Sequence, residues 1–266
     1  MIALYPIVFL PFWILNSNAY VKTEKKWDLI WSDEFNYRGL PDSVRWSYET
    51  GYVRNEELQY YTENCKKNAR VEKGNLILEA HKEGSGLFGY TSSSLHTRGK
   101  FEFTYGKAEI RAKLPGCRGT LAAFWMLPAK LAYGEYLKSG EIDLMECVGY
   151  DPLKIHCTVH TQAYNEFAGT KQGGTEGMVG VTPQRKFHVY SMEWYPDKLL
   201  FFTENKLIFQ FNKLGNSSDV WPFDKPFYLI MSLAVGGTWA SQQGIANDGF
   251  PQKMTIDYVR VYKLRE

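Results

Sequence analysis

Three carboxylates, Glu141, Asp143 and Glu146, lie within six residues of the otherwise apolar segment 139–149. Removing charges from water is costly, so a strand seldom keeps three acids together unless they have partners or a task. Two carboxyl groups flanking a glycosidic bond suffice to hydrolyse it, one as nucleophile or base and the other as proton donor. A third carboxylate between them separates their pKa values, so that one acid stays protonated near neutrality. The segment therefore predicts a glycosidase site. The alternative is a solvated edge strand whose acids pair with nearby lysines or arginines.

The spacing of the acids sets a condition on the strand that carries them. Residues two apart on a strand share a face, which puts Glu141 and Asp143 on one side and Ile142 on the other. Glu146 is out of phase with them. One extra residue, most simply Met145 in a β-bulge, would return Glu146 to the face of the other two acids. We therefore expect all three acids in one cleft.

The rest of the chain predicts short strands and no long helices. Strong helical periodicity is absent, and roughly a dozen alternating or apolar segments are separated by turn signals. This pattern indicates an all-β fold, a two-sheet β-sandwich in which a concave sheet holds a polymer. Segments 82–97 and 161–183 are predicted to be loops rich in polar residues or glycine. The predicted strands are 27–35, a hairpin over 69–80, two strands in 100–114, 120–128, 139–149, 155–160, 187–195, 199–203, 207–211, 226–235 and 252–262.

The strand at 155–160 is expected to lie beside the acidic strand, because strands joined by a short turn usually pair. His156, Thr158 and His160 then share the cleft face. A strand histidine more often has a structural role than a catalytic one. Opposite three acids, however, we expect His160 to contact the substrate or to take part in acid-base chemistry.

Composition indicates one large domain and a neutral partner. The 266 residues are 44% hydrophobic and carry a net charge of +2 without a basic stripe, which makes nucleic acid an improbable partner. The acidic site also argues against a polyanionic substrate. The 8 Trp and 18 Tyr exceed what a core needs, and flat rings suit the apolar faces of sugars.

The N-terminus predicts export. The apolar run from Ala3 to Leu15 is too short to span a membrane, and Ser17 and Ala19 fit a signal peptidase site. We expect a signal peptide at 1–19, a single catalytic domain at 20–266, no membrane span, and a monomer that is secreted or periplasmic.

The four cysteines have no metal-like spacing. Cys147 and Cys157 are expected to point away from the cleft. A bridge between them is geometrically allowed, but free buried thiols are favoured.

The segment from Glu141 to Glu146 resembles the E-x-D-x-x-E signature of glycoside hydrolase family 16. The resemblance runs in consistent order from about Trp27 to Tyr262, and it implies a jelly-roll β-sandwich with the cleft on its concave face. It also implies retention of configuration through a covalent glycosyl-enzyme. The supporting segments are WSDEF at 31–35, NEELQYYT at 55–62, KAEIRAKLP at 107–115, AAFWMLP at 122–128, TVH at 158–160, the block 221–239 and DYVRVY at 257–262.

The resemblance implies a role for each acid. Glu141 corresponds to the nucleophile, Glu146 to the general acid/base, and Asp143 to the residue that tunes the pair. The implied substrate-binding residues are Asn55 on the glycone side and Trp125, His160 and Trp239 near the scissile bond.

Family members need no cofactor for catalysis but often hold a structural calcium ion on the convex side. The matching ligands here are Glu34, the Gly74 carbonyl and Asp257, and oxygen ligands from distant segments suit that ion. Asp257 could equally be a paired surface acid.

Within the family, the bulge residue and the segments 55–62 and 221–239 are laminarinase-like, whereas the loop 160–174 departs from the commoner short version. The implied activity is endo-hydrolysis of a polysaccharide, a β-1,3-glucan or a mixed β-1,3/1,4-glucan. One alternative is a sibling that acts on agar, porphyran or carrageenan, for which Arg54, Arg98 and Lys171 would contribute positive charge. Another is a non-catalytic glycan-binding module, which would need the rings but not the acids.

Overall fold

The structure is a computed structural model that describes residues 26–84, 89–165, 173–178 and 183–265. The predicted signal peptide at 1–19 lies outside the described residues. No helix among the described residues is long and apolar enough to cross a membrane.

Strands dominate the described chain. One short helix, α1 (Gly237–Ala240), and one 3-10 turn (Asn247–Gly249) accompany them. The strands are β1 (Trp27–Asp33), β2 (Ser47–Tyr48), β3 (Gln59–Tyr61), β4 (Ala69–Glu72), β5 (Asn75–Lys82), β6 (Tyr90–Ser92), β7 (Ser94–His96), β8 (Gly106–Lys113), β9 (Thr120–Pro128), β10 (Glu141–Val148), β11 (Lys154–His160), β12 (Gly173–Met178), β13 (His188–Trp194), β14 (Lys198–Thr203), β15 (Lys206–Asn212), β16 (Phe227–Val235) and β17 (Gln252–Leu264).

These strands form two sheets. The larger has the order β15-β14-β13-β8-β17-β5-β6-β3, with β1 added on β17 and β4 on β5. The smaller has the order β12-β11-β10-β9-β16-β7-β2, so the acidic strand β10 lies between β9 and β11. The prediction of an all-β, two-sheet jelly-roll sandwich is confirmed.

The smaller sheet is buried on the face toward the larger sheet and carries the site on the other. Phe124 and Met126 of β9 point into the main core, and both have 0% exposure. Trp125, between them, joins a separate small cluster with Tyr228 and Ile230 of β16 on the opposite face. Each large apolar side chain buried in the core contributes about 1.5–3 kcal/mol. The sheet that bears the site is therefore held by packing behind it.

The prediction of a loop over 82–97 is wrong in part, because β6 and β7 lie within it. Each strand contains one serine, Ser92 or Ser94, and the hydroxyl of each binds a partner inside the protein instead of facing water. The Ser92 hydroxyl donates to the Leu233 carbonyl at 2.6 Å, and the Ser94 hydroxyl donates to Glu49 at 2.6 Å.

Two further predictions need correction. Segment 100–114 contains one strand, β8, and not two, because Tyr105 has a positive φ of 59° that ends extended structure before Gly106. The predicted loop 161–183 contains β12, which pairs with β11. The hairpin β4–β5 and the meander β13–β14–β15 are confirmed.

All four cysteines fall within the described residues and carry free thiols. Cys147 and Cys157 are buried in the main core, on the face of the smaller sheet away from the acids. Their predicted orientation and unbridged state are confirmed.

Candidate active site

The ladder between β10 and β11 contains the extra residue that the spacing of the acids requires. Asp143 pairs with Thr158, and Glu146 pairs with His156. Three steps along β10 therefore match two steps along β11, which defines a β-bulge.

The bulge turns two consecutive side chains into the core. Leu144 and Met145 have 1% and 0% exposure and belong to the main core cluster. Because two neighbours share the core face, the next residue, Glu146, returns to the face of Glu141. The predicted bulge is confirmed, with Leu144 and Met145 forming it together.

A cleft of about 780 Å³ lies over this face of the smaller sheet. Glu141 and Glu146 line it. Asp143, between them in the strand, is buried with 2% exposure. The four residues that the sequence suggested for substrate binding also line this cleft: Asn55, Trp125, His160 and Trp239. The strand face predicted for β11 is confirmed, since His156 and Thr158 lie beside His160 in the cleft wall.

One histidine is embedded among the acids. His160 Nε2 lies 2.9 Å from Asp143 Oδ2, and ligand-type atoms of Glu141, Asp143 and His160 lie within 4.8 Å of one another. Two carboxylates and one imidazole at this spacing could hold a metal ion. A protonated His160 supplies positive charge at the same place, so the arrangement is equally that of a buried charge cluster.

The environment raises the pKa of both outer acids. Burial, followed by the charge of Asp143 and a hydrogen bond with it, raises the pKa of Glu141 to about 8. Burial and then the charge of Asp143 raise the pKa of Glu146 well above its usual value. Burial alone would lower the pKa of His160, but the hydrogen bond and charge of Asp143 outweigh it and raise that pKa to about 9. Near neutrality the cluster therefore retains a carboxyl proton and a positive imidazolium.

The partners of the two outer acids differ. The charge of His160 favours the anion of both acids. In addition, a hydrogen bond from Tyr136 favours the anion of Glu141, and one from Thr158 favours the anion of Glu146. The raised pKa of Glu146 suits a residue that must donate a proton near neutrality.

Several cleft residues were missed by sequence reasoning. Tyr136 lies in the loop before β10, where no motif or periodicity in the sequence indicates a site residue. Glu57 lies within the segment 55–62, whose mixture of amides, acids and rings did mark it as a candidate. Arg54 directly precedes that segment, and the sequence suggested it only as a cation for a galactan substrate. Glu57 is only 7% exposed, and burial raises its pKa.

Two loops that line the cleft are locked together by a close backbone approach. The Thr238 amide donates to the Asn55 carbonyl at 3.2 Å. Gly237 has a φ of +80°, and a Cβ at that position would lie 2.8 Å from the same carbonyl oxygen. Trp239 follows directly and meets His156 edge to face, with ring centroids 5.0 Å apart. The substrate-binding candidates Asn55 and Trp239 are therefore positioned by one contact.

The three predicted calcium ligands lie on elements of the larger sheet, away from the cleft. Glu34 takes both a 2.9 Å and a 2.7 Å hydrogen bond from Arg260, and Asp257 pairs with Arg111. These side chains do not fit a cation site as they stand, because a guanidinium already meets each carboxylate. The calcium ion stays a prediction.

The basic residues that could bind an agar-, porphyran- or carrageenan-type galactan make other contacts where the structure describes them. Arg54 pairs with Glu49, and the Arg98 guanidinium lies 5.8 Å from the centre of the Tyr228 ring. Lys171 lies outside the described residues. The described part of the cleft therefore offers no unengaged arginine cluster.

The chain is similar to known glycosyl hydrolases. The model of the family described as glycosyl hydrolases family 16 matches residues 56–260. A beta-glucanase from Rhodothermus marinus is 48% identical over 246 residues, which cover 89% of this chain and 85% of that protein. The X-ray structure of the laminarinase from Rhodothermus marinus superposes with a TM-score of 0.87 at 47% identity and covers 91% of this chain and 100% of its own. SCLam, a non-specific endo-beta-1,3(4)-glucanase of the same family, superposes with a TM-score of 0.83 at 41% identity, over 90% of this chain and 92% of its own.

Proposed function

The chain belongs to the glycosyl hydrolases of family 16, and from that premise we propose that it is a retaining endo-β-glucanase with Glu141 as nucleophile and Glu146 as general acid/base. The observation that carries the proposal is the bulge at Leu144 and Met145, which delivers both acids to one cleft. Relatives named beta-glucanase, laminarinase and endo-beta-1,3(4)-glucanase support a β-1,3- or mixed β-1,3/1,4-glucan as the substrate.

In the first step, the Glu141 carboxylate attacks the anomeric carbon while the glycosidic C–O bond breaks. Glu146 gives its proton to the departing oxygen, which leaves as a hydroxyl on the aglycone half. The product is a glycosyl ester on Glu141. The raised pKa of Glu146 keeps the proton available near neutrality.

In the second step, the Glu146 carboxylate takes a proton from a water molecule, and that water attacks the same anomeric carbon. The ester bond breaks and Glu141 returns to its carboxylate, so two inversions give net retention. Asp143 serves both steps. It hydrogen-bonds Glu141 and lies 2.9 Å from His160, whose positive charge offsets the acids while protons move.

The walls of the cleft suit an uncharged polymer. Trp125 and Trp239 offer ring surface to the apolar faces of sugars, and Asn55 offers an amide for hydroxyl groups on the glycone side. The cleft volume of about 780 Å³ accommodates more than one sugar unit. A cleft that holds more than one sugar unit suits cleavage inside a polysaccharide chain.

The decisive test of the activity is product analysis on a polysaccharide panel. We expect new reducing ends from laminarin and barley β-glucan, as oligosaccharides of several lengths, and none from agar, porphyran or carrageenan. Reducing ends only from a galactan would favour the sibling alternative. Binding in affinity electrophoresis without any reducing sugar would favour the glycan-binding module.

The roles of the two acids are tested by chemical rescue. In Glu141→Ala, azide should restore bond cleavage and give a glycosyl azide of inverted configuration, because azide replaces the nucleophile. In Glu146→Ala, azide should give a glycosyl azide of retained configuration, because it then replaces water in the second step. If the two outcomes were exchanged, the assignments would be reversed.

Three further proposals follow from the sequence. The protein is exported and loses residues 1–19, which N-terminal sequencing of secreted material would test. It acts as a monomer, which light scattering would test. Calcium binding at Glu34, Gly74 and Asp257 would require Arg260 and Arg111 to give way, and a rise in unfolding temperature with calcium over EDTA would reveal it.

A further inference from the structure

We propose that Glu49 is a positioning residue that holds Arg54 against the face of Trp125 and so fixes the indole beside the reacting acids. The inference rests on the proposed glucanase function and adds a residue that touches neither the substrate nor the acids. Five contacts form a closed ring that includes Trp125, and they carry the inference.

Trp125 occupies a central place in the site. In the ladder between β9 and β10 it pairs with Asp143, so its ring stands next to the acids. It is only 6% exposed although it lines the cleft. The indole N–H donates to the Ser232 hydroxyl at 3.3 Å, and the Arg54 guanidinium lies 4.8 Å from the ring centre. The ring is therefore held at its edge and on one face.

Arg54 cannot be held by the indole alone. The attraction between a cation and an aromatic ring is of similar size to the conformational entropy lost when an arginine side chain is ordered, so the indole alone does not hold the guanidinium in place. The ion pair with Glu49 supplies the missing stabilisation, because a hydrogen bond between charged groups is stronger than one between neutral groups. The side chains of Arg54 and Glu49 are 22% and 17% exposed, which limits screening of the pair by solvent.

The electrostatic environment of Arg54 agrees with this dependence. Burial would lower the pKa of Arg54, but the charge of Glu49, followed by smaller contributions, raises it above the usual value. Glu57 lies nearby, but its carboxylate accepts hydrogen bonds from Gln59 at 2.7 Å and from Tyr61 at 3.4 Å. Glu49 is the carboxylate with a direct hydrogen bond to Arg54.

Glu49 is itself fixed to the sheet that carries the site. Its second oxygen accepts the Ser94 hydroxyl at 2.6 Å, and its amide donates to the Ser94 carbonyl at 3.0 Å. Ser94 is fully buried and pairs with Ser232 in the ladder between β7 and β16. The edge support and the face support of Trp125 therefore meet at neighbouring serines. The ring runs from Trp125 through Ser232, Ser94, Glu49 and Arg54 back to Trp125.

This arrangement predicts an effect on substrate binding and not on proton transfer. Without the charge of Glu49, Arg54 leaves the indole and Trp125 loses its fixed position, so the cleft has to be ordered each time substrate binds. Glu49 takes no part in moving protons, so the pH dependence of kcat should keep its shape.

The test compares Glu49→Gln with Glu79→Gln as a matched control. Glu79 is also a buried glutamate that binds an arginine, with Arg70 at 2.7 Å, but it lies on the larger sheet. On laminarin we expect Glu49→Gln to raise KM about tenfold, the size of one lost charged hydrogen bond, and to leave kcat within about twofold. Glu79→Gln should change neither constant, although both variants lose some stability.

A double-mutant cycle tests the route of the effect. If Glu49 acts through Arg54, adding Glu49→Gln to Arg54→Met should produce no further rise in KM beyond that of Arg54→Met. An additive rise would overturn the proposal, and so would a folded Glu49→Gln protein with an unchanged KM. Failure of the proposed function is recognised separately, because the unaltered protein would then release no reducing ends. In that case, calorimetric binding of a laminarin oligosaccharide to the same variants would still measure the role of Glu49.

Discussion

Replacing Glu141 with glutamine should abolish turnover and yet stabilise the fold at neutral pH. Glu141 is a half-buried carboxyl next to the charge of Asp143, and its pKa is about 8 in the fold against 4.5 for a free side chain. In the folded protein, the coupled pair of Glu141 and Glu146 therefore keeps a proton that the unfolded chain releases as the pH rises from 4.5 to 8. Stability falls over this window, because the folded state binds more protons than the unfolded state.

The size of the effect follows from the same pKa. Each pH unit inside the window costs at most about 1.4 kcal/mol, so the cost at pH 7 has an upper limit of about 3.4 kcal/mol. Charge sharing with Glu146 and His160 reduces it, and we expect Glu141→Gln to gain about 1–3 kcal/mol at pH 7. For a domain of this size, that gain raises the unfolding temperature by roughly 2–10 °C.

The assay is urea denaturation at a series of pH values from 4 to 8.5. The advantage of Glu141→Gln should grow as the pH rises and should vanish near pH 4, where the carboxyl is protonated in both states. Glu63→Gln is the control, since Glu63 lies on the surface, and its difference from the unaltered protein should stay flat. A Glu141→Gln protein that is less stable at pH 8, or a gain independent of pH, would refute the reasoning.

Two other substitutions test the charge cluster and the locked loops. Asp143→Asn removes the negative charge that raises the pKa of Glu146, so the alkaline limb of the profile of kcat/KM against pH should move to lower pH, and kcat should fall by about 10²-fold. A limb that stays in place would show that Asp143 does not tune Glu146. Gly237→Ala puts a methyl group 2.8 Å from the Asn55 carbonyl at a φ of +80° and should cost about 1–3 kcal/mol in thermal unfolding while raising KM. Gly99→Ala, at a φ of +72° with open space around it, controls for backbone strain alone, and an equal loss in both variants would mean that the contact with Asn55 does not matter.

Much of the site could be predicted because it follows from alternation along single strands. The phase of Glu146 relative to Glu141 required one extra residue, and the ladders contain it. When both faces of a strand are apolar, alternation does not show which residues face the cleft. The direction of the Trp125 side chain therefore follows only from the pairing of β9 with β10.

The remaining features could not be predicted because they depend on contacts between distant segments. The short strand β7 follows two serines and resembles a loop in the sequence, because the buried partner of its Ser94 hydroxyl, Glu49, lies in a distant segment. The contact between Arg54 and Trp125 joins residues far apart in the chain, so no local sequence pattern predicts it. Tyr136 lies in a loop without strand or helix periodicity, so its hydrogen bond to Glu141 could not be predicted from the sequence either.

Because Leu144 and Met145 both point into the core, the site depends on the number of residues in this strand as well as on its acids. A deletion of either residue would leave every acid in the chain and still aim the last one at the hydrophobic interior, where it has no solvent and no partner. The two positions should accept many apolar exchanges but no loss. Grafting these acids onto another sandwich would therefore succeed only if the recipient strand were given the additional residue as well.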